Sequence, residues 1–339
     1  MHNDEFFMKR CIQLAKLGKG RVAPNPLVGA VIVHNDRIIG EGYHEKYGFA
    51  HAEVNAVNSV KETSLLKDAT IYVSLEPCAH FGKTPPCALL LIEKKFKRVV
   101  IGSFDTFSEV NGKGIKMLEE QGIEVKLGIL EKECLDLNKH FFCFHEKKRP
   151  YITLKWAQSP DGFIDKDNKQ HWISGPETQS VVHKIRSETQ AILVGRKTAE
   201  HDNPSLTVRA VKGANPIRIV IDPELKLSKD KALFNNDSKT IILNTLKTDQ
   251  KDNKSWIQLN IISPKTICET LFELGINSVL IEGGKATLDS FIEDELWDEA
   301  IIITGKEDIK EGTLAPTFNY EHTESKSFFD DTIKTYFKV

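Results

Sequence analysis

Short apolar runs alternate with segments of helical period along nearly the whole 339-residue chain, and the alternation stops once and starts again. In the first half the strand-like runs are VGAVIV (28–33), RIIGEGYH (37–44), ATIYVSL (69–75), RVVIGSF (98–104) and IEVKLGIL (123–130). The first two read as a hairpin across His34-Asn35-Asp36. Helical segments lie between or around them. Phe7, Cys11, Leu14 and Ala15 recur at helical spacing behind Asp4 as cap, followed by HAEVNAVNSV (51–60), CALLLIEKKF (87–96), and KGIKMLEEQG (113–122) ended by Gly122. ECLDLNKHFFCFHEKK (133–148) reads as one last helix. The polar run from Glu146 to Pro150 interrupts the pattern. Beyond it YITLKWA, AILVG, PIRIVID, TIILN, SVLIEGG and EAIIIT alternate in part with TQSVVHKIRSE, ICETLFELG and ATLDSFIEDEL, the stretch 227–253 reads as holding loops, and KTYFKV adds a strand. Such alternation demands helices packed on sheets. We therefore expect two α/β domains, residues 1–146 and 147–339, the second around a largely parallel sheet.

Composition narrows the class. Hydrophobic residues make up 40% and charged residues 28%, ordinary for a globular protein with sizeable cores, and a net charge of −2 offers no global basic field for nucleic acid. No apolar run is long enough to span a bilayer, and the charged start MHNDEFFMKRCIQLAKLGKG does not read as a signal peptide. No membrane partner is expected. The six cysteines (11, 78, 87, 134, 143, 268) read as reduced thiols of a cytoplasmic protein, so a clustered pair points to a metal or to catalysis.

One pair is clustered. SLEPCAHFGKTPPC (74–87) holds Cys78 and Cys87 nine positions apart, and HAE upstream supplies His51 and Glu53. Catalytic Zn²⁺ takes three protein ligands and leaves a position for water, and one imidazole with two thiolates fits that count. Nitrogen and sulfur donors favour zinc over magnesium or calcium. All three ligands are expected near helix starts, where the dipole favours a thiolate. Glu53, two residues from His51, is placed to carry protons without binding the metal, as in zinc deaminases. A closed structural zinc site is the alternative, with His80 as the fourth ligand.

PNPLVGAVIV (24–33), GEGYHEKYGFAHAE (40–53) and EPCAHFGKTPPC (76–87), with eight residues between the cysteines, resemble the deaminase half of the bifunctional riboflavin-biosynthesis deaminase–reductases. The resemblance implies a cytidine-deaminase-like α/β/α domain and a pyrimidine substrate carrying a ribose phosphate. It implies that Asn25, His44, His80 and Lys83 face that substrate.

The second half lacks Gly-x-Gly-x-x-Gly, the usual dinucleotide fingerprint. Two other strand–helix junctions carry glycines: Gly195-Arg196-Lys197-Thr198 after AILVG, and Gly283-Gly284 after SVLIE. Glycines let a backbone approach a pyrophosphate, and Arg196 with Lys197 would suit the 2′-phosphate of NADP. LKWAQSPDGFI (154–164), HWIS (171–174), DNPSLTVR (202–209) and IEGG (281–284) are similar to the reductase half of the same family, although Pro160 stands where the family usually has Leu. The similarity implies a dihydrofolate-reductase-like α/β domain. By it Ala157, Trp172, Thr198, Asp202, Gly284, Lys285, Ala286 and Thr287 would contact NADPH. Gln170, Arg186, Leu206, Arg209 and Glu282 would contact the substrate, the two arginines reaching its phosphate. Lys155 and Asp161 also match family motif positions, and Asp161-Gly162 is equally a turn.

The expected function is hydrolytic deamination of 2,5-diamino-6-(5-phosphoribosylamino)pyrimidin-4-one, then NADPH-dependent reduction of the ribosyl chain to ribityl, in a cytoplasmic dimer or tetramer. Two rivals are a nucleic-acid or nucleoside deaminase with a non-reducing second domain, which would need a basic groove with stacking aromatics, and a zinc-stabilised binding module.

Overall fold

The computed structural model describes residues 3–79, 81, 85–105, 112–166 and 172–338. They form two compact units, Met1–Lys148 and Arg149–Val339.

The first unit runs α1 (Asp4–Lys16), β1 (Gly29–His34), β2 (Arg37–Tyr43), α2 (Ala52–Ser59), β3 (Thr70–Leu75), α3 (Cys87–Glu93), β4 (Arg98–Ser103), α4 (Lys113–Glu120), β5 (Glu124–Leu127), α5 (Glu131–Leu137) and α6 (Lys139–Lys147). The sheet order is β2-β1-β3-β4-β5, antiparallel around β1 and parallel from β3 to β5. Strand residues alternate between two apolar faces because side chains alternate along a strand. Ile71 and Val73 pack with Ala56, Leu91 and Leu118 on one face. Tyr72 packs with Phe7, Cys11 and Cys134 on the other. The sheet thus lies between two helical layers, the α/β/α arrangement expected.

Four local expectations are corrected. Asn3, rather than Asp4, caps α1, its Oδ1 accepting Phe6 N–H at 3.0 Å. Asp4 sits in the first turn, where its carboxylate receives Arg98, Lys126 and the Tyr72 hydroxyl. The single helix expected over 133–148 is two, α5 and α6, meeting at Asn138. Buried Asn138 bonds Leu27 like a strand neighbour, accepting its N–H at 2.7 Å and donating to its C=O at 2.9 Å, so the break anchors the segment before β1. β5 is also shorter than its apolar run. α6 continues to Lys147, past the sequence-based boundary.

The second unit runs β6 (Tyr151–Gln158), α7 (Pro176–Glu188), β7 (Ala191–Gly195), α8 (Arg196–His201), β8 (Ile217–Ile221), β9 (Thr240–Asn244), β10 (Asp249–Lys251), β11 (Lys254–Gln258), α9 (Pro264–Glu273), β12 (Ser278–Ile281), α10 (Lys285–Glu293), β13 (Glu299–Thr304), β14 (Glu324–Phe328) and β15 (Asp331–Phe337). Its sheet order is β10-β11-β9-β8-β7-β12-β6-β13-β15-β14, parallel from β11 to β13 and antiparallel at both edges. The central strands read as continuous apolar runs because both faces are covered. Leu193 and Ile281 face one core, Ile192, Val194 and Leu280 the other. β10, β11 and β14 were not expected: DQK, KSWIQ and ESKSF carry little apolar signal, and the neighbouring strands make them strands. α9 starts three residues earlier than its apolar pattern, where Ser263 and Thr266 form a capping box across Pro264.

Candidate active sites

In the first unit, His51 is the N-cap residue of α2 and Cys87 the first residue of α3. α2 lies close on β2 because Gly42 has no side chain; a Cβ there would come within 2.3 Å of Ala56 N. Cys78 follows β3 in an extended segment, not at a helix start as expected. It meets the start of α3 in space, its Sγ accepting Cys87 N–H at 3.3 Å. His51 Nδ1 lies 3.6 Å from Cys78 Sγ and 3.4 Å from Cys87 Sγ, and the three atoms all lie within 4.8 Å of one another. One nitrogen and two sulfurs at this spacing fit a zinc ion. The Cys87 thiol, then His51 and the Cys87 amide, pull the Cys78 thiol down to about 4 against burial, the ionisation a metal ligand needs. Cys78 in turn raises His51.

Glu53, in the first turn of α2, is 3% exposed. Burial, followed by the Cys78 charge, pushes its carboxyl up to about 7, a value suited to taking and giving protons near neutral pH. His44 closes another side. Its ring stands 5.5 Å from that of His51, its Nδ1 donates to Ala50 C=O at 3.0 Å, and its Nε2 accepts from Asn25 Nδ2 at 3.1 Å. The carbonyl can only accept, which assigns the ring proton to Nδ1. Burial lowers its pKa, so His44 is the neutral ring that this network requires. Asn25 and His44 are thus gathered beside His51. His80 and Lys83 lie outside the described residues.

Sequence reasoning missed Glu76. This buried carboxylate at the end of β3 accepts backbone N–H groups of Gly112 and Gly114 at 3.1 Å each, and more weakly those of Asp105 and Ile115. It satisfies the orphan donors at the start of α4 and fastens that start under Pro77-Cys78. A Cβ at Gly114 would come within 2.2 Å of Pro77 O. SLEPC displays the acid, but its partners lie 29 or more residues away.

In the second unit the carboxyl ends of β6, β7 and β12 open into a cavity of about 810 Å³, where a sheet of this kind binds ligands. Its walls hold Ala157, Trp172, Thr198, Asp202, Gly284, Lys285, Ala286 and Thr287, every expected cofactor contact. The glycine junctions meet there: Gly195 N–H donates to Gly283 C=O at 3.1 Å, and Cβ atoms at Gly195 and Gly284 would come within 2.7 Å of Thr287 Oγ1 and 2.9 Å of Thr198 Oγ1. Bare backbone at two adjoining helix starts fits a dinucleotide.

Glu282 lines the cavity, and Arg186 donates to both its oxygens, Nε at 2.9 Å and Nη2 at 2.5 Å. Burial works to raise Glu282, but Arg186 and Lys155 outweigh it and hold the carboxyl at about 2. Lys155 is depressed by burial beside the same pair. Arg209 differs from Arg186: its guanidinium meets only the neutral hydroxyls of Ser205 and Thr207 among the described residues, leaving its charge open to an anion. The Leu206 side chain packs in the core, so it offers a ligand its backbone. Gln170 lies outside the described residues. Asp161 accepts from Ser159 and from the N–H groups of Ile309 and Lys310, and Gly162 at φ +86° completes the turn.

Residues 1–103 match the family described as the cytidine and deoxycytidylate deaminase zinc-binding region, and residues 150–305 that described as the RibD C-terminal domain. The chain is 41% identical over 317 residues to riboflavin biosynthesis protein RibD of Aquifex aeolicus, covering 91% of this chain and 88% of the relative. It is 40% identical over 333 residues to RibD of Bacillus amyloliquefaciens, covering 93% and 87%. A crystal structure from Thermotoga maritima, a diaminohydroxyphosphoribosylaminopyrimidine deaminase/5-amino-6-(5-phosphoribosylamino)uracil reductase, superposes with a TM-score of 0.90 at 35% identity, covering 98% of this chain and 97% of that one. These likenesses favour a two-activity enzyme over a nucleic-acid deaminase with an idle second domain. Among the described residues no helix is long and apolar enough to cross a membrane.

Proposed function

The chain belongs to the RibD family of bifunctional riboflavin-biosynthesis enzymes, and from that premise we propose which residues carry each step and on what substrate. The first unit, Met1–Lys148, deaminates 2,5-diamino-6-(5-phosphoribosylamino)pyrimidin-4-one. The second unit, Arg149–Val339, reduces the ribosyl chain of the product with NADPH to give 5-amino-6-(5-phosphoribitylamino)uracil. The observation that carries the reading is the set of one imidazole nitrogen and two sulfurs within 4.8 Å of one another, with the buried carboxyl of Glu53 two residues from the imidazole.

His51, Cys78 and Cys87 hold the zinc, which when bound supplies a Lewis acid able to activate water near neutral pH. Glu53 takes a proton from the attacking water and returns it to the departing amine; one residue can do both because its buried carboxyl stands two residues from His51 without being one of the three ligands. Asn25 and neutral His44 supply fixed hydrogen-bonding groups beside that centre.

In the second unit the backbone at Gly195 and Gly284, with Thr198 and Thr287, cradles the cofactor's phosphates. Lys197 lines the cavity, and no carboxylate pairs with it among the described residues, which favours the extra phosphate of NADPH over NADH. NADPH, when bound, supplies the hydride. Arg209 holds the substrate's phosphate, and the Arg186–Glu282 pair with Lys155 forms a charged wall facing the sugar. The free thiols of Cys11, Cys78, Cys87 and Cys134 support a reducing, cytoplasmic setting.

Glu53→Gln tests the division. Ammonia release from the diaminopyrimidine phosphate should fall by about 10²–10⁴-fold. Zinc content should stay unchanged, and NADPH oxidation on the already deaminated intermediate should persist. Ammonia release above about a tenth of the parent rate would remove Glu53 from the proton transfers.

A further inference from the structure

The charged wall of the second unit holds one more titratable group that no motif singled out. His183 lies on α7, one turn before Arg186, and is 6% exposed. Its Nδ1 accepts the backbone N–H of Arg209 at 3.1 Å. A ring that accepts at Nδ1 carries its proton on Nε2 and is neutral. The surroundings hold it so. Burial does most to lower its pKa, and the charges of Arg186 on its own helix, Arg209 from the loop and Lys155 from β6 add to that against the one opposing charge, Glu282 at the end of β12.

The loop from Asp202 to Arg209 is anchored by the buried Leu206 side chain and by Asn203 Oδ1, which accepts Ala232 N–H at 2.8 Å, but its Arg209 end has few other ties. Its backbone N–H of Val208 donates to Asn215 Oδ1 at 2.8 Å, and the Arg209 guanidinium folds back on Ser205 and Thr207. Among the described residues no backbone–backbone bond involves residues 203–210. α7, by contrast, is pinned at both ends. Asp331 accepts from Gly175 N–H at 2.9 Å and Thr178 Oγ1 at 2.6 Å, and Arg186 is forked onto Glu282. His183 is the one side chain that ties the Arg209 main chain to this fixed helix among the described residues.

We infer that His183 is a positioning residue for the reductase substrate: its neutral Nδ1 fixes the Arg209 main chain to α7, so that the guanidinium is held ready for the substrate's phosphate. The inference rests on Arg209 being the phosphate contact. Without the bond, Arg209 must be ordered at the moment of binding, a cost that falls on substrate affinity and leaves the cofactor side untouched.

The test uses H183N, H183Q, H183L and R209A in the full chain, following NADPH oxidation with 5-amino-6-(5-phosphoribosylamino)uracil. Asn places an acceptor near the position of Nδ1; Gln places its amide near Nε2; Leu only fills space. H183L and H183Q should raise KM for the pyrimidine about three- to tenfold, the range of one hydrogen bond. Their kcat, their KM for NADPH and ammonia release should stay near parent values, and H183N should recover the parent KM. The inference falls if H183L and H183Q bind the pyrimidine normally, if H183N is no better than H183Q, or if KM for NADPH rises in step, which marks a general structural role. Should H183L fail to fold, the Asn–Gln comparison decides. If R209A leaves the pyrimidine KM unchanged, the assignment of Arg209 falls and the inference with it. If R209A raises that KM and the histidine variants do not, the inference alone falls.

Discussion

Glu282→Gln should destabilise the second unit by an amount that its surroundings set. The Glu282 side chain is 7% exposed, and both carboxylate oxygens accept from the Arg186 fork. Burial alone would raise its pKa; Arg186 and Lys155 reverse that and bring it from the ordinary 4.5 to about 2. At about 1.4 kcal/mol for each tenfold change in proton affinity, the folded state favours the carboxylate by about 3 kcal/mol. A depressed carboxyl contributes stability above its unfolded pKa and loses it as pH falls through the folded value. The parent therefore has the full contribution at pH 7 and loses it from about pH 4.5 toward pH 2, whereas the Gln variant lacks it throughout. For a unit of this size about 2–4 °C accompanies each kcal/mol, so the second-unit transition should fall by about 6–12 °C at pH 7, and the two curves should converge in acid. Calorimetry at pH 7 and pH 3 reads this directly. The loss comes from leaving Arg186 and Lys155 uncompensated, so Arg186→Met added to Glu282→Gln should restore part of it. A drop of less than about 1 kcal/mol at pH 7, or a further loss on adding Arg186→Met, would refute the reasoning.

Cys78→Ser and Cys87→Ser should each lower bound zinc well below one ion per chain and lower the first unit's unfolding temperature, because binding energy at a thiolate site is also folding energy; metal analysis showing full zinc in both would remove them as ligands. Gly114→Ala should invert the usual helix trend. Alanine normally gains up to about 1 kcal/mol over glycine inside a helix, but here its Cβ meets Pro77 O at 2.2 Å, so denaturant unfolding should show a loss, and a gain would mean that α4 does not brace the Cys78 segment. Lys197→Glu should raise KM for NADPH far more than KM for NADH, measured on the deaminated intermediate, since it sets a negative charge against the 2′-phosphate; equal changes would dissociate Lys197 from cofactor choice.

What the amino-acid order determined by itself is local or repeated. Side-chain burial has a period of two along a strand and 3.6 along a helix, so the alternation of apolar runs was enough to show two α/β units and most of their elements. The candidate zinc set was legible because His51, Glu53, Cys78 and Cys87 stand at or near element boundaries, and such boundaries carry their own signals. The glycine junctions at Gly195 and Gly284 were legible for the same reason. Only the tertiary structure decided features that depend on a distant partner. KSWIQ becomes β11 because β9 lies beside it, and nothing in five half-polar residues announces that neighbour. Asn138 breaks a helix that its flanking residues would continue, since its amide is used by Leu27, 111 positions away. Asp4 looked like a cap until Arg98 and Lys126 were brought to it. Glu76 and His183 carry no pattern at all. Each is a single polar side chain whose meaning is the backbone N–H it accepts, from Gly114 and from Arg209, and a hydrogen bond across a fold leaves no period in the chain that makes it.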